Sequence, residues 1–393
     1  MKKIIGIICA LSLVFNAFAQ DPDYKDLTGG LNTITTAVPF LLISPDSKAG
    51  AMGDVGVATN PDANSLHWNP AKLAFNENDL GASMSFVPWL RSLVNDINLS
   101  YITGYKKIGD DQAIGFELGY FSLGQITFTD INGGLIGNYT PNEYVIGSAY
   151  SRKLSDDFSL SVGGKYILSD LTGGKSAGGI ETASGKSFAA DVSGFYSKPI
   201  RISGKDIDLA IGCNISNIGS KIKYTETATN DFIPINLRLG TALGADIDDY
   251  NKVSIAFDIN KLLVPTPPSD YDSRNNTWSS GMDPEVGVVS GIFQSFWDAP
   301  GGTKEEFREL MYSVGGEYWY ANQFALRAGY FNEHDTKGGR KYFTFGMGMK
   351  YTVYTIDFSY LVNANNNVGA TNPLANTMRF SLTWDFGAKE EVN

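Results

Sequence analysis

The side chains that most often carry acid–base or nucleophilic catalysis are scarce in this chain: two histidines, His67 and His334, and two cysteines, Cys9 and Cys213. A hydrolase needs a nucleophile, a base and an orienting group within hydrogen-bond reach of one another. The histidines lie in separate segments, and each reads as a packed or solvated residue. Gly173-Gly174-Lys175-Ser176 lacks the earlier glycine of a phosphate-binding loop. The stretch Asp270 to Thr277 is rich in oxygen-bearing side chains, yet it lacks the glycine and distal glutamate of a calcium-binding loop. No catalytic residue, metal site or cofactor is assigned, and the expectation is a protein that works without enzymatic chemistry.

The elements around these residues explain the scarcity. Met1-Lys2-Lys3, the apolar run Ile4 to Phe15, and Ala17-Phe18-Ala19 before Gln20 read as a cleavable export signal over residues 1–19. Its apolar run is about a dozen residues, too short for a spanning helix. Cys9 lies too early, inside that run, for a lipoprotein signal. Only Cys213 then remains, which excludes an intramolecular disulfide and a cysteine-rich metal site. The net charge of −11, lower still once Lys2 and Lys3 leave, argues against nucleic acid as a partner.

Two-residue alternation dominates the rest. Met378, Phe380, Leu382, Trp384 and Phe386 share one strand face, with Arg379, Ser381, Thr383 and Asp385 on the other. Such runs place strands near 80–87, 97–107, 111–123, 142–153, 157–170, 186–199, 206–218, 235–245, 251–262, 312–321, 323–332, 341–351, 353–363 and 376–386. Several exceed ten residues, which suits tilted strands crossing a bilayer. The links alternate between short and long, as the periplasmic turns and outer loops of an outer-membrane barrel do. The fold class is therefore all-β: a transmembrane antiparallel barrel of about fourteen strands over 80–387, with a tail at 388–393.

On the polar face, Glu117, Asp191, Asp208, Asp258, Glu317, Asp357 and Asp385 nearly balance Lys165, Arg238, Arg327, Lys350 and Arg379. A charge-selective pore would show rings of one sign; mixed signs predict salt-bridged networks in a narrow interior. The apolar face is lipid-facing, with Trp89, Tyr105, Tyr320 and Trp384 expected in interfacial girdles. Residues 20–79 carry their own apolar positions, broken by Gly50, Gly53, Gly56, Pro61 and Pro70, and read as a hatch of short turns inside the barrel. The longest outer loop, 263–311, contains Val286, Val288, Val289, Ile292, Phe293, Phe296 and Trp297, then Thr303 to Glu306, a capping box predicting a helix through Leu310. Apolar residues there must cover the barrel mouth or bury against a partner, which makes Val288, Val289, Ile292, Phe293, Phe296 and Trp297 the candidate partner-binding set.

Met52-Gly53-Asp54-Val55-Gly56-Val57-Ala58 and Trp68-Asn69-Pro70-Ala71 resemble the N-terminal signature of the PorV and PorQ families, and the Asn-Pro-Ala triplet is similar to that of the wider FadL-like barrels. Length, hatch, strand layout and the Trp384-Asp385-Phe386 ending extend the resemblance over the whole mature chain. It departs from the common barrel pattern in the seven residues, Gly387 to Asn393, that follow the last aromatic. The PorV resemblance implies a type IX secretion role: docking to a SprA-type translocon, receiving cargo by its C-terminal signal domain, and passing it to a PorU-type attachment complex. The FadL-like resemblance implies, alternatively, transport of hydrophobic small molecules.

Overall fold

The computed structural model describes residues 31–91, 93–129, 132–174, 181–202, 204–226, 228–272, 277–364, 374 and 376–387. The expected signal peptide, the tail 388–393, Lys175-Ser176 and part of the 270–277 loop lie outside these residues. Alternation builds long strands in chain order: β1 (Leu80–Pro88), β2 (Ile97–Lys107), β3 (Gln112–Leu123), β4 (Ile126–Thr129), β5 (Leu135–Tyr139), β6 (Asn142–Ser155), β7 (Phe158–Asp170), β8 (Gly185–Ile202) and β9 (Lys205–Gly219). They continue with β10 (Asn236–Asp246), β11 (Asn251–Leu262), β12 (Ser269–Asp272), β13 (Thr277–Ser280), β14 (Met311–Tyr320), β15 (Phe324–Asn332), β16 (Lys341–Tyr351), β17 (Tyr354–Asn363) and β18 (Met378–Phe386).

Fourteen of these close into one antiparallel barrel, and β4–β5 and β12–β13 form two small hairpins in the outer loops. The seam joins β1 to β18 from Leu80↔Phe386 to Phe86↔Phe380, so no barrel edge is left unpaired. Short turns gather at the end where β1 starts. The β14–β15 turn has Ala321 and Asn322 both at φ 52, a mirror-image turn that matches the twist of a hairpin. By the alternation rule this end is periplasmic and the long-loop end is outer.

Two of the four expected girdle aromatics do not face lipid. Tyr105 is 3% exposed and packs inward with Leu66, Leu73 and Ala149, while Trp89 lines a cavity at the outer mouth. On β2 the inward face carries Leu99, Tyr101 and Tyr105 around buried Thr103 because it meets packed protein and not water. Tyr320 is exposed and Trp384 half-buried on the outer wall.

Residues 31–79 run through the interior from the outer mouth to the periplasmic end. Asn32 N–H donates to Thr336 O and Ala37 N–H to Phe232 O, both on outer loops. The chain then makes a 3-10 turn (Pro39–Leu42), helix α1 (Ser47–Ala51), helix α2 (Ser65–Trp68) and a second 3-10 turn (Pro70–Phe75) before β1. Glycine and proline keep each element short. The polar lumen residues pair as networks: Lys165 with Asp191 at 2.7 Å and Glu117 at 3.6 Å, and Arg327 with Glu317 and Asp357, each at 2.6 Å.

Candidate functional site

The N-terminal motif residues are the points where the interior segment meets the wall. Met52 and Gly53 press their backbones against inward-facing glycines: a Cβ on Gly329 would lie 2.1 Å from Met52 C, and one on Gly315 would lie 2.3 Å from Met52 O. Gly53, at φ +71, turns the chain, and its N–H donates to Thr344 Oγ1, which in turn donates to Ala51 O. Asp54 accepts from Tyr342 OH at 2.5 Å and lies 3.5 Å from Arg379. The N–H groups of Gly56 and Val57 both donate to one oxygen of buried Asp258, at 2.8 and 3.0 Å. Val57 O sits 2.2 Å from where a Cβ on Gly212 would be.

The second motif does the same on the opposite wall. Trp68 lies flush against Gly56, donates from Nε1 to Asp46 at 2.7 Å, and takes the Arg238 guanidinium 4.7 Å above its ring. Asn69 bridges segment and barrel, donating to Val57 O and to Gly194 O on β8. Pro70 starts the 3-10 turn, and Ala71 N–H donates to Ser193 Oγ while Ala71 O accepts from Ser159 Oγ at 2.7 Å. Met52, Gly53, Asp54, Gly56, Trp68, Asn69, Pro70 and Ala71 thus form one structural connection between interior segment and wall.

The long outer loop holds two helices, α3 (Val288–Gln294) and α4 (Thr303–Arg308). The six candidate partner residues divide between two sides. Val288 and Ile292 turn inward onto the core that contains Phe232, Leu263 and Val264, whereas Val289, Phe293, Phe296 and Trp297 point outward, with Phe293 61% and Trp297 62% exposed. Phe307, on the helix expected after Thr303 but outside the candidate partner set, adds another exposed ring on α4. The α4 helix ends at Arg308, short of Leu310, and the capping box is not made: Gly302 is the N-cap, and Thr303 already lies inside the helix. The acids of that first turn, Glu305 and Glu306, are used elsewhere, together with Glu309 just past the helix. Glu305 and Glu309 meet Lys337 at 2.5 and 3.0 Å, and Glu306 and Glu309 meet Lys261 at 3.1 and 2.6 Å. Burial pushes nearby Asp298 up to about 6; Glu305 is also penalised by burial, but its bonds from Lys337 and Gly301 N–H hold it below the usual carboxylate range.

Between the outer part of the interior segment and the barrel wall lies a cavity of about 540 Å³. Phe40, Trp89 and Phe121 line one side, Met311, Tyr342 and Leu361 the other, and Glu309, Lys337 and Arg340 its polar part. Of the two histidines, His67 is buried against Trp68 and Tyr101, and His334 hydrogen-bonds to Thr336 within its own loop.

The family model described as "Type IX secretion system protein PorV" matches residues 28–269, which include both motifs, the interior segment and all of the first eleven strands. The chain belongs to the PorV family. PorV membership makes it an outer-membrane component of type IX secretion, and the closed barrel places it in the outer membrane. No curated protein matches the chain. Among solved structures, a TodX deltaS2S3 mutant described as a monoaromatic hydrocarbon channel is similar at TM-score 0.50 and 12% identity, over 87% of this chain and 99% of that one. The P. putida toluene transporter TodX (TM-score 0.49, 11% identity, 88% and 99% covered) and a Pseudomonas aeruginosa FadL homologue (0.44, 11%, 90% and 99%) are also similar. The likeness is one of fold, and it agrees with the FadL-like architecture expected from the sequence.

Proposed function

We propose that this PorV-family barrel is a docking protein for secretion: its lumen is plugged by residues 31–79, and it engages the translocon, cargo C-terminal signal domains and the attachment complex through its outer loops. One observation carries this reading. An interior segment fastened to the wall is joined, through Asn32 donating to Pro267 O and Glu305, to an outer loop whose Val289, Phe293, Phe296 and Trp297 form an exposed apolar ridge. Exposed apolar ridges on soluble loops mark protein contact sites, and aromatic anchors dominate the energy of such contacts. The reading assigns the protein no catalytic step.

A second reading, carriage of hydrophobic small molecules, is favoured by the apolar cavity at the outer mouth, whose volume is in the range of ligand pockets. Deleting the gene separates the two. The docking reading expects broad loss of secreted and surface proteins with normal uptake of toluene. Defective toluene uptake with an unchanged secreted proteome would replace it with the second reading.

A further inference from the structure

The two helices of the long outer loop are held by different forces. The α3 helix is anchored by apolar packing: Val288 and Ile292 join the core, and Gly291 sits so close to Phe232 that a Cβ there would lie 2.6 Å from its ring. The α4 helix buries no residue, and Phe307 on it is 65% exposed. Its hold on the mouth runs through charge. Glu305, Glu306 and the following Glu309 converge on Lys261 at the end of β11 and Lys337 in the β15–β16 loop, and Glu309 also accepts from Thr266 Oγ1 at 2.6 Å. Asn32, at the head of the interior segment, donates to Glu305 and to Pro267 O. Gly301 and Gly302, the latter at φ +66, link α4 to the rest of the loop, and Leu310 links it to β14.

We propose that α4 is a hinged lid with a charge latch: it swings between Leu310 and the Gly301-Gly302 pair, and the Lys261–Lys337 cluster holds it shut over the outer cavity. Glu309 and Lys337 belong to both latch and cavity wall, so releasing the latch would also change that part of the wall. A buried cluster of this kind favours two discrete states, because losing one partner leaves the others desolvated and unpaired. Ala299 N–H, Asn32 and Thr266 donate to the same carboxylates, so the acids that pair with Lys261 and Lys337 are also where α4 is hydrogen-bonded to the mouth.

The reporter is Ser44→Cys, at a cavity-lining position 2% exposed in the closed form, in a Cys213→Ser background. A membrane-impermeant maleimide is added outside intact cells, and labelling rate is measured alongside the heat-modifiable migration of the folded barrel. Lys261→Met with Lys337→Met is expected to raise the rate at least about tenfold, and Lys261→Arg with Lys337→Arg to keep it near that of the unaltered latch. Glu309→Gln, nearly isosteric, gives the same increase should the double variant assemble poorly. Equal rates in Glu309→Gln and the parent, with folded barrels in both, would overturn the latch. The measurement needs no secretion partner, so its failure is distinct from failure of the docking reading.

Discussion

Replacing Phe293 and Trp297 together by aspartate is expected to abolish co-purification of the barrel with its secretion partners while leaving the barrel folded. Both rings are more than half exposed, and neither belongs to the core cluster that Val288 and Ile292 enter, so the substitution removes no packing from the isolated protein. Aromatic anchors at protein interfaces each contribute about 2 kcal/mol or more. Two of them together with two new carboxylates should weaken association by about a thousandfold, since about 1.4 kcal/mol is a factor of ten. The recovered partner should fall to background at unchanged expression and heat-modifiable migration. Undiminished recovery would remove the ridge from the mechanism, and the inward residues Val288 and Ile292 would be left as ordinary packing.

Gly329→Val is expected to dislodge the interior segment. The added side chain would enter the space of Met52 and Gly53 backbone atoms, with its Cβ 2.1 Å from one and 2.2 Å from the other. A backbone cannot rotate away as a long side chain can, so the cost lies at or above the upper end of overpacking, about 3 kcal/mol. Relief requires moving the Met52-Gly53 turn off β14 and β15, which breaks the bonds from Gly53 to Thr344 and from Tyr342 to Asp54. In planar bilayers the unaltered protein should be silent and the variant should show stepwise conductance, with protease cleavage appearing within residues 45–60. Gly164→Ala is the control, because nothing lies within 4 Å of a Cβ there. A silent, protease-resistant Gly329→Val barrel would mean that this contact does not seat the segment.

The barrel was legible because its signal is local and repeated: β2, β11 and β16 begin and end where two-residue alternation places them. Facing was harder to read. Alternation separates two faces but does not name the inner one, and on β2 Leu66 and Leu73 press against the inner face at Tyr105, so a tyrosine near a strand end reads as a lipid-girdle residue when taken alone. The PorV-like motif marks a connection whose chemistry is invisible along the chain. Gly53, Gly56 and Asn69 make sense only beside Gly329, Asp258 and Gly194, which are brought to them by closure of the barrel. A partial signal existed, since inward-facing glycines mark close approach: Gly212, Gly315 and Gly329 meet the backbone of the interior segment, and Gly240 and Gly346 meet its Val57 and Ala51 side chains. The Lys261–Glu309–Lys337 cluster had none: its members come from three separate loop or strand ends, and the acids of α4 read as a capping box when taken alone.

The central claim is that this plugged barrel acts through direct protein contact at its outer ridge. A photo-crosslinking amino acid placed at Trp297 in the chromosomal copy and activated in living cells tests it most directly. Docking predicts discrete, reproducible adducts with proteins of the secretion machinery or its cargo, absent when the crosslinker sits at Leu160 on the lipid-facing wall. Protein-free labelling at Trp297, in a barrel that still supports secretion, would contradict it.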